Sequence, residues 1–284
     1  MIVASRIPGI SKRYIRKITK ARGLKPPRKV QLAIDAALRS VLKEMAKDVN
    51  TTAEQIEKVM RARPEQIIYK FREIWRGRYD AEAAAISKRW IEVVVAHSRQ
   101  EFRKSVSQAI GIDVAAVLDG DKVREAAEKA AHEASLLIKK IPEDYLDEVE
   151  KAAWAHYRQE PQPEGRTFLE QIQHIGSVSE KRATLIARDQ TSKIHSAVNQ
   201  ARNEEAGVEA YIWRTAKDGR VVGNPSGLYP KVSNEDVHGN HYKREGKKFR
   251  WDSPPKDGHP GIAISCRCYA EPIIDMSNLQ IAFG

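Results

Sequence analysis

The chain has 284 residues, 41% of them hydrophobic and 31% charged, with 49 Lys and Arg against 38 Asp and Glu and a formal net charge of +11. At about 150 residues per domain two domains are the default. No run of about 18 apolar residues offers a transmembrane helix, and the basic, interrupted N-terminus does not read as a secretory signal. The two cysteines, Cys266 and Cys268, are separated by one residue, which argues against a secreted disulfide scaffold and for a reducing compartment.

Charge is concentrated at the start. Residues 1–30 carry ten Lys or Arg and no Asp or Glu; setting these ten aside leaves 39 basic against 38 acidic residues in 31–284. A terminal block of one sign repels itself and stays extended until it meets an anionic partner. With Ser11 as a cap, a helix from Lys12 would carry Tyr14, Ile15 and Ile18 on one side and cations on the others. The expected ligand is double-stranded DNA, bound without reading sequence through Lys12, Arg13, Arg16, Lys17, Lys20 and Arg22. Each phosphate neutralised there would release a counterion. A solvated tail with no specific partner is the alternative. Pro26 and Pro27 end the segment, since neither can donate to a helix ladder.

From 30 to about 160 the apolar period is helical. Ile34, Leu38, Val41 and Met45 define one helix face. Thr51 with Glu54 predicts a capping-box start for a short helix through Met60. Ile67, Ile68, Phe71, Ile74 and Trp75 form another stripe, weakened at Gly77, which resumes with Ile86, Trp90 and Val94. Phe71 and Trp75 are candidate anchors for a partner protein, because buried aromatics dominate interface energies; internal core is the competing role. Asp121 predicts the cap of an Ala-rich helix to Lys139, and Pro142 the opening of a further one. His97, His132 and His156 sit among packing residues and receive no role.

Residues 159–166 read as a linker, after which Ser177, three before Glu180, predicts the cap of a long helix closing at Gly207. Then the period changes. Residues 209–215, 248–251 and 269–274 read as strands, with proline-rich loops between them. The expected fold is mainly α with a small C-terminal α+β module, the long helix packed on a short antiparallel sheet. The expected domains are a basic arm at 1–29, a helical domain at 30–160 and the α+β domain at 161–284.

His238, His241, His259, Cys266 and Cys268 crowd into thirty-one residues. Thiolate sulfur and imidazole nitrogen are what zinc selects, and His241, His259, Cys266 and Cys268 make a candidate structural tetrahedron, with His238 in reserve. The other reading is that these side chains brace loops through hydrogen bonds without metal. A disulfide between residues so close in sequence would be strained. Asp236-Val-His-Gly-Asn-His faintly resembles the His-Asn-His arrangement of metal-dependent nucleases, but its members are too close together and no helix follows. Nothing resembles a glycine-rich phosphate loop.

Read in order, the C-terminal part resembles the phage Mu F-like minor head proteins. The resemblance rests on Leu185-Ile-Ala-Arg-Asp-Gln-Thr in the long helix, the turn Gly207-Val208, and Tyr211-Ile-Trp-Arg-Thr followed by Asp218-Gly. It continues with His241 five before Gly246, then Pro254-Pro255, Gly258-His-Pro-Gly and Cys266-Arg-Cys-Tyr-Ala-Glu-Pro. The chain departs from the pattern in having His238 where an Arg is usual, and an extra stretch from Gly223 to Glu235. The resemblance implies a structural, non-enzymatic part of a tailed-phage head, made in the host cytoplasm and placed in the virion near the portal vertex. Its implied partners are the portal, other capsid proteins and packaged DNA, with no membrane. The alternative from another class is a metal-dependent nuclease or toxin-like enzyme using the C-terminal His and Cys cluster.

Overall fold

The computed structural model describes residues 2–6, 18–59, 64–113, 120–218, 220–224, 239–275 and 281–283. Four long helices dominate the described residues, with a small antiparallel sheet formed largely by the C-terminal part. This is the expected fold class.

Helix α1 (Arg28–Val59) buries Ile34, Leu38, Val41, Met45 and Val49, the three- and four-residue spacing that keeps one face toward a core. It does not break at Thr51. The hydroxyls of Thr51 and Thr52 donate back to the carbonyls of Lys47 and Asp48 at 2.9 and 3.1 Å, as residues inside a helix do. Helix α2 (Pro64–Ile110) runs straight through Gly77; one glycine costs only about 1 kcal/mol relative to alanine.

Helix α3 (Asp121–Tyr157) likewise continues through Pro142, where the sequence predicted a new start. Proline removes the N–H that would serve the carbonyl four residues earlier. Here that carbonyl, on Ile138, accepts from the buried Tyr79 hydroxyl of α2 at 2.9 Å. A residue remote in sequence supplies the missing donor, so the helix need not end.

Helix α4 (Phe168–Glu205) starts nine residues before Ser177. Its capping box is Thr167 with Glu170: the Glu170 carboxylate accepts from the Thr167 N–H at 2.8 Å, and the Thr167 hydroxyl accepts from the Glu170 N–H at 3.3 Å. Ser177 is interior, donating to the His174 carbonyl at 3.1 Å. Within the expected linker, Pro163–Gly165 form a 3-10 turn and the buried Gln162 side chain donates to the Ala152 carbonyl. The C-terminus of α4 falls where expected. Gly207 has φ 73°, its N–H reaches the Glu204 carbonyl, and the Val208 N–H reaches that of Asn203 at 2.8 Å. That paired bonding is a Schellman close, which needs a residue comfortable in the left-handed region.

The three expected strands form as β4 (Ala210–Arg214), β5 (Lys248–Arg250) and β6 (Tyr269–Asp275), all antiparallel. A fourth comes from the basic segment: β2 (Ile18–Lys20) pairs with the free side of β6, giving the order β2-β6-β4-β5. Ile18, which the sequence assigned to a helix, therefore lies in a strand. Pairing extends past Lys20, with the Ala21 and Leu24 N–H groups donating to the Pro272 and Ala270 carbonyls, and both side chains are buried. A second sheet, in the order β3-β1-β7, joins β1 (Ile2–Arg6) antiparallel to β3 (Ile112–Asp113) and parallel to β7 (Ile281–Phe283).

The compact units do not follow the chain in blocks. One comprises residues 29–90 and 131–188, all helical apart from short connections; the other comprises 1–28, 91–130 and 189–284 and holds both sheets. The division differs from one at 29/30 and 160/161 because α2, α3 and α4 each contribute residues to both units. In the sheet-bearing unit Phe102, Val106 and Ile110 of α2 share a core with Leu24, Val208 and Ile274.

Candidate functional site

The sheet-bearing unit holds a second core made of Tyr211, Trp213, Trp251, Cys266, Cys268 and Ala270. Strand β4 supplies Tyr211 and Trp213, which alternate with its other positions and so face one side of the sheet. The run 266–268 directly precedes β6 and alternates buried, half-buried and buried. Its alternation turns both sulfurs inward, and Arg267 between them pairs with Asp218 at 2.6 Å.

Against the two sulfurs stands His241. Its Nδ1 lies 3.5 Å from Cys266 Sγ and 3.6 Å from Cys268 Sγ, and these three atoms form a tight group. On its other side, Nε2 is 2.7 Å from an Asp257 carboxylate oxygen, and the second oxygen is 2.7 Å from the Arg244 guanidinium. Arg244 in turn lies over the Trp213 ring at 4.8 Å, and Trp213 meets the His241 ring edge to face at 5.1 Å. His241, Cys266 and Cys268 are 2%, 7% and 4% exposed.

The loop that carries Asp257 and Cys266 is fixed to α4. The Ser196 hydroxyl donates to the Pro260 carbonyl at 2.7 Å, and the Ser265 N–H donates to the Asp189 carboxylate at 2.8 Å. Gly261, at φ 94°, comes so close that a Cβ there would stand 3.2 Å from the Ser192 carbonyl oxygen. Only glycine tolerates both the dihedral and the approach. Asp189 belongs to the Leu185–Thr191 motif, whose role in the site the sequence did not reveal; here it anchors the cysteine loop.

Electrostatics follow from this geometry. The Cys268 thiol alongside, with His241, holds Cys266 well below the usual thiol range despite its burial. Cys268 is pushed up, by the Cys266 sulfur and by burial. Burial alone would lower His241, but Cys266 and Asp257 outweigh it and its pKa is raised. Asp257, His241 and Cys266 stand in the order orienter, base and thiol that a covalent catalyst uses. The thiol is buried, however, among tryptophan and alanine side chains.

Of the four residues predicted to hold a metal, the structure brings three together. His259 is the exception. Its Nδ1 is 2.9 Å from the Tyr211 hydroxyl, its ring also hydrogen-bonds the Trp251 backbone, and burial lowers its pKa. Packed against both Tyr211 and Trp251, it braces the loop and stands outside the group formed by the other three. His238 and Asp236 lie outside the described residues, as do Lys12, Arg13, Arg16 and Lys17. Lys20 and Arg22 are exposed beside the sheet. Phe71 is half-buried, and Trp75, at 2% exposed, is interior to the helical unit, so it is not presented to a partner in this conformation. Asp257 and Arg244 were missed. The signal available for Asp257 was its place immediately before Gly258-His-Pro-Gly.

The fold and site together define a mainly helical protein whose sheet-bearing unit is built around a buried thiol–imidazole cluster. Residues 163–271 match the family model for Phage Mu protein F like protein. Over 97% of its length the chain is 27% identical to an uncharacterized protein of Haemophilus influenzae, and it spans 60% of that protein. No solved structure matches the chain significantly. Among the described residues no helix is long and apolar enough to cross a membrane.

Proposed function

We propose that the chain is a structural minor head protein of a tailed phage, acting in head assembly and in DNA packaging or delivery at the portal region. The observation that carries this reading is the match to the Phage Mu protein F like family model at 163–271. The site is in keeping with it: the reactive groups are buried in a core, where they contact one another and tie loops together. Asp257, the carboxylate beside His241, is itself tied to Arg244, and Asp252 is paired with Arg250. Neither is placed as a nuclease's acidic metal ligand would be.

The basic N-terminal segment is the proposed DNA contact. Its phosphate-binding residues would be Lys12, Arg13, Arg16, Lys17, Lys20 and Arg22, and β2 would tether them to the module. The helical unit is the proposed docking surface for the portal and neighbouring head proteins. Because Trp75 is interior, exposed Tyr69 and Ile74 on the same helix are the better contact candidates. A nonsense mutation early in the gene tests the function. The expected phenotype is normal tails with heads that are misassembled or lack deliverable DNA. Full-titre, DNA-filled particles from the mutant would contradict it.

A further inference from the structure

We propose that His241 Nδ1, Cys266 Sγ and Cys268 Sγ bind one zinc-class divalent ion that staples the cysteine loop to the segment entering β5. Three observations converge on this.

The first is distance. A tetrahedral ion about 2.3 Å from sulfur and about 2.0–2.1 Å from nitrogen sets the nitrogen–sulfur separation at about 3.5–3.6 Å. His241 Nδ1 stands 3.5 and 3.6 Å from the two sulfurs. A ring nitrogen has a single proton or a single lone pair and can satisfy one hydrogen-bond partner well. Near-equal spacing from two thiols is the geometry of a shared ion.

The second is the far side of the ring. His241 Nε2 lies 2.7 Å from an Asp257 carboxylate oxygen, which can only accept and so favours the proton on Nε2; a neutral ring held this way would turn its Nδ1 lone pair toward the sulfurs. A carboxylate behind a histidine is the usual device for fixing the tautomer of a metal ligand. Arg244 holds that carboxylate at 2.7 Å.

The third is at the sulfur. The Gly261 N–H donates to Cys266 Sγ at 3.4 Å, a bond that a metal-bound thiolate accepts better than a neutral thiol. The site therefore has a soft Cys2His donor set, whose three protein ligands leave the fourth position to an exogenous ligand such as water. With all three ligands buried beside Trp213, the role proposed for the ion is to tie the loop, and this set replaces the sequence-derived one that included His259.

The test uses the full-length protein. Purified without added metal, it should carry about one zinc per chain by elemental analysis. Stripped with chelator and titrated with cobalt(II), it should develop tetrahedral d–d bands and a sulfur-to-cobalt charge-transfer band of two-thiolate intensity. Cys266→Ser and Cys268→Ser should each abolish the two-thiolate spectrum, and Asp257→Asn should weaken binding roughly 10- to 100-fold. His259→Gln should retain the metal. The wild-type cobalt titration does not depend on any variant folding. Failure of the folded protein to take up equimolar zinc, or a cobalt spectrum without the thiolate band, overturns the site. Loss of metal from a folded His259→Gln protein overturns the ligand set. The head-protein reading survives either result, since it rests on the family match and not on the ion.

Discussion

The Tyr79 hydroxyl donates to the Ile138 carbonyl at 2.9 Å, the one carbonyl of α3 that Pro142 deprives of its helical partner. Both groups are buried, so removing the donor leaves a desolvated acceptor. Tyr79→Phe should destabilise the protein by about 1–3 kcal/mol, read from urea unfolding. Adding Pro142→Ala restores the backbone N–H and should recover most of that loss. Additive effects in the double variant would show that the two residues do not share the carbonyl.

This pair also shows what the sequence could and could not convey. The stripe Ile34, Leu38, Val41 and Met45 lies buried on α1, and strands β4, β5 and β6 fall where the aromatic, β-branched runs placed them. Those patterns are local and periodic. A helix that survives a proline because of a tyrosine on another helix is not local. Nor is β2, whose partner β6 stands near the far end of the chain. The sequence reading places the start of α4 at Ser177-x-x-Glu180, whereas the same pattern at Thr167-x-x-Glu170 supplies the cap, and only packing decides between such patterns. At the site, clustering in sequence gathered His241, Cys266 and Cys268, which the fold also brings together. It could not separate them from His259, because histidine's two roles, ligand and hydrogen-bonded brace, have the same composition.

Asp189 gives a second test. Its carboxylate accepts from the Ser265 N–H and pairs with Lys193 at 2.7 Å. Asp189→Ala should cost about 1–3 kcal/mol by orphaning a partly buried N–H, and should make the 257–266 loop susceptible to limited proteolysis. Unchanged stability and protease resistance would show that the loop does not depend on this anchor.

Acid stability should report His195. Burial, with the nearby charges of His97 and Arg202, lowers its pKa from 6.5 to about 3, and its ring lies 3.1 Å from the Asn199 side-chain amide. The folded state keeps the ring neutral while the unfolded chain takes up a proton below 6.5. The contribution is therefore fully present above pH 6.5 and is lost as pH falls toward 3, at up to about 1.4 kcal/mol per pH unit. His195→Asn should flatten the dependence of unfolding free energy on pH across that window. An unaltered slope would place the acid sensitivity elsewhere.

Salt should decide the role of the basic segment. If residues 12–22 neutralise phosphates, the logarithm of the DNA association constant should fall linearly with the logarithm of salt, with a slope of about −0.9 per contact. Lys20→Ala with Arg22→Ala should reduce that slope by roughly two without altering preference among sequences. A truncated chain beginning after β2 that binds DNA equally at every salt concentration would assign the segment to a protein partner.

The central claim, a structural role in the head, is tested most directly by imaging purified phage heads at side-chain resolution. The account predicts density at the portal vertex that fits the 163–271 module, with α4 and the β4–β6 sheet traceable and the basic segment directed toward DNA. Heads in which no such module is present at any assembly stage, confirmed by its absence from their mass spectra, would contradict it.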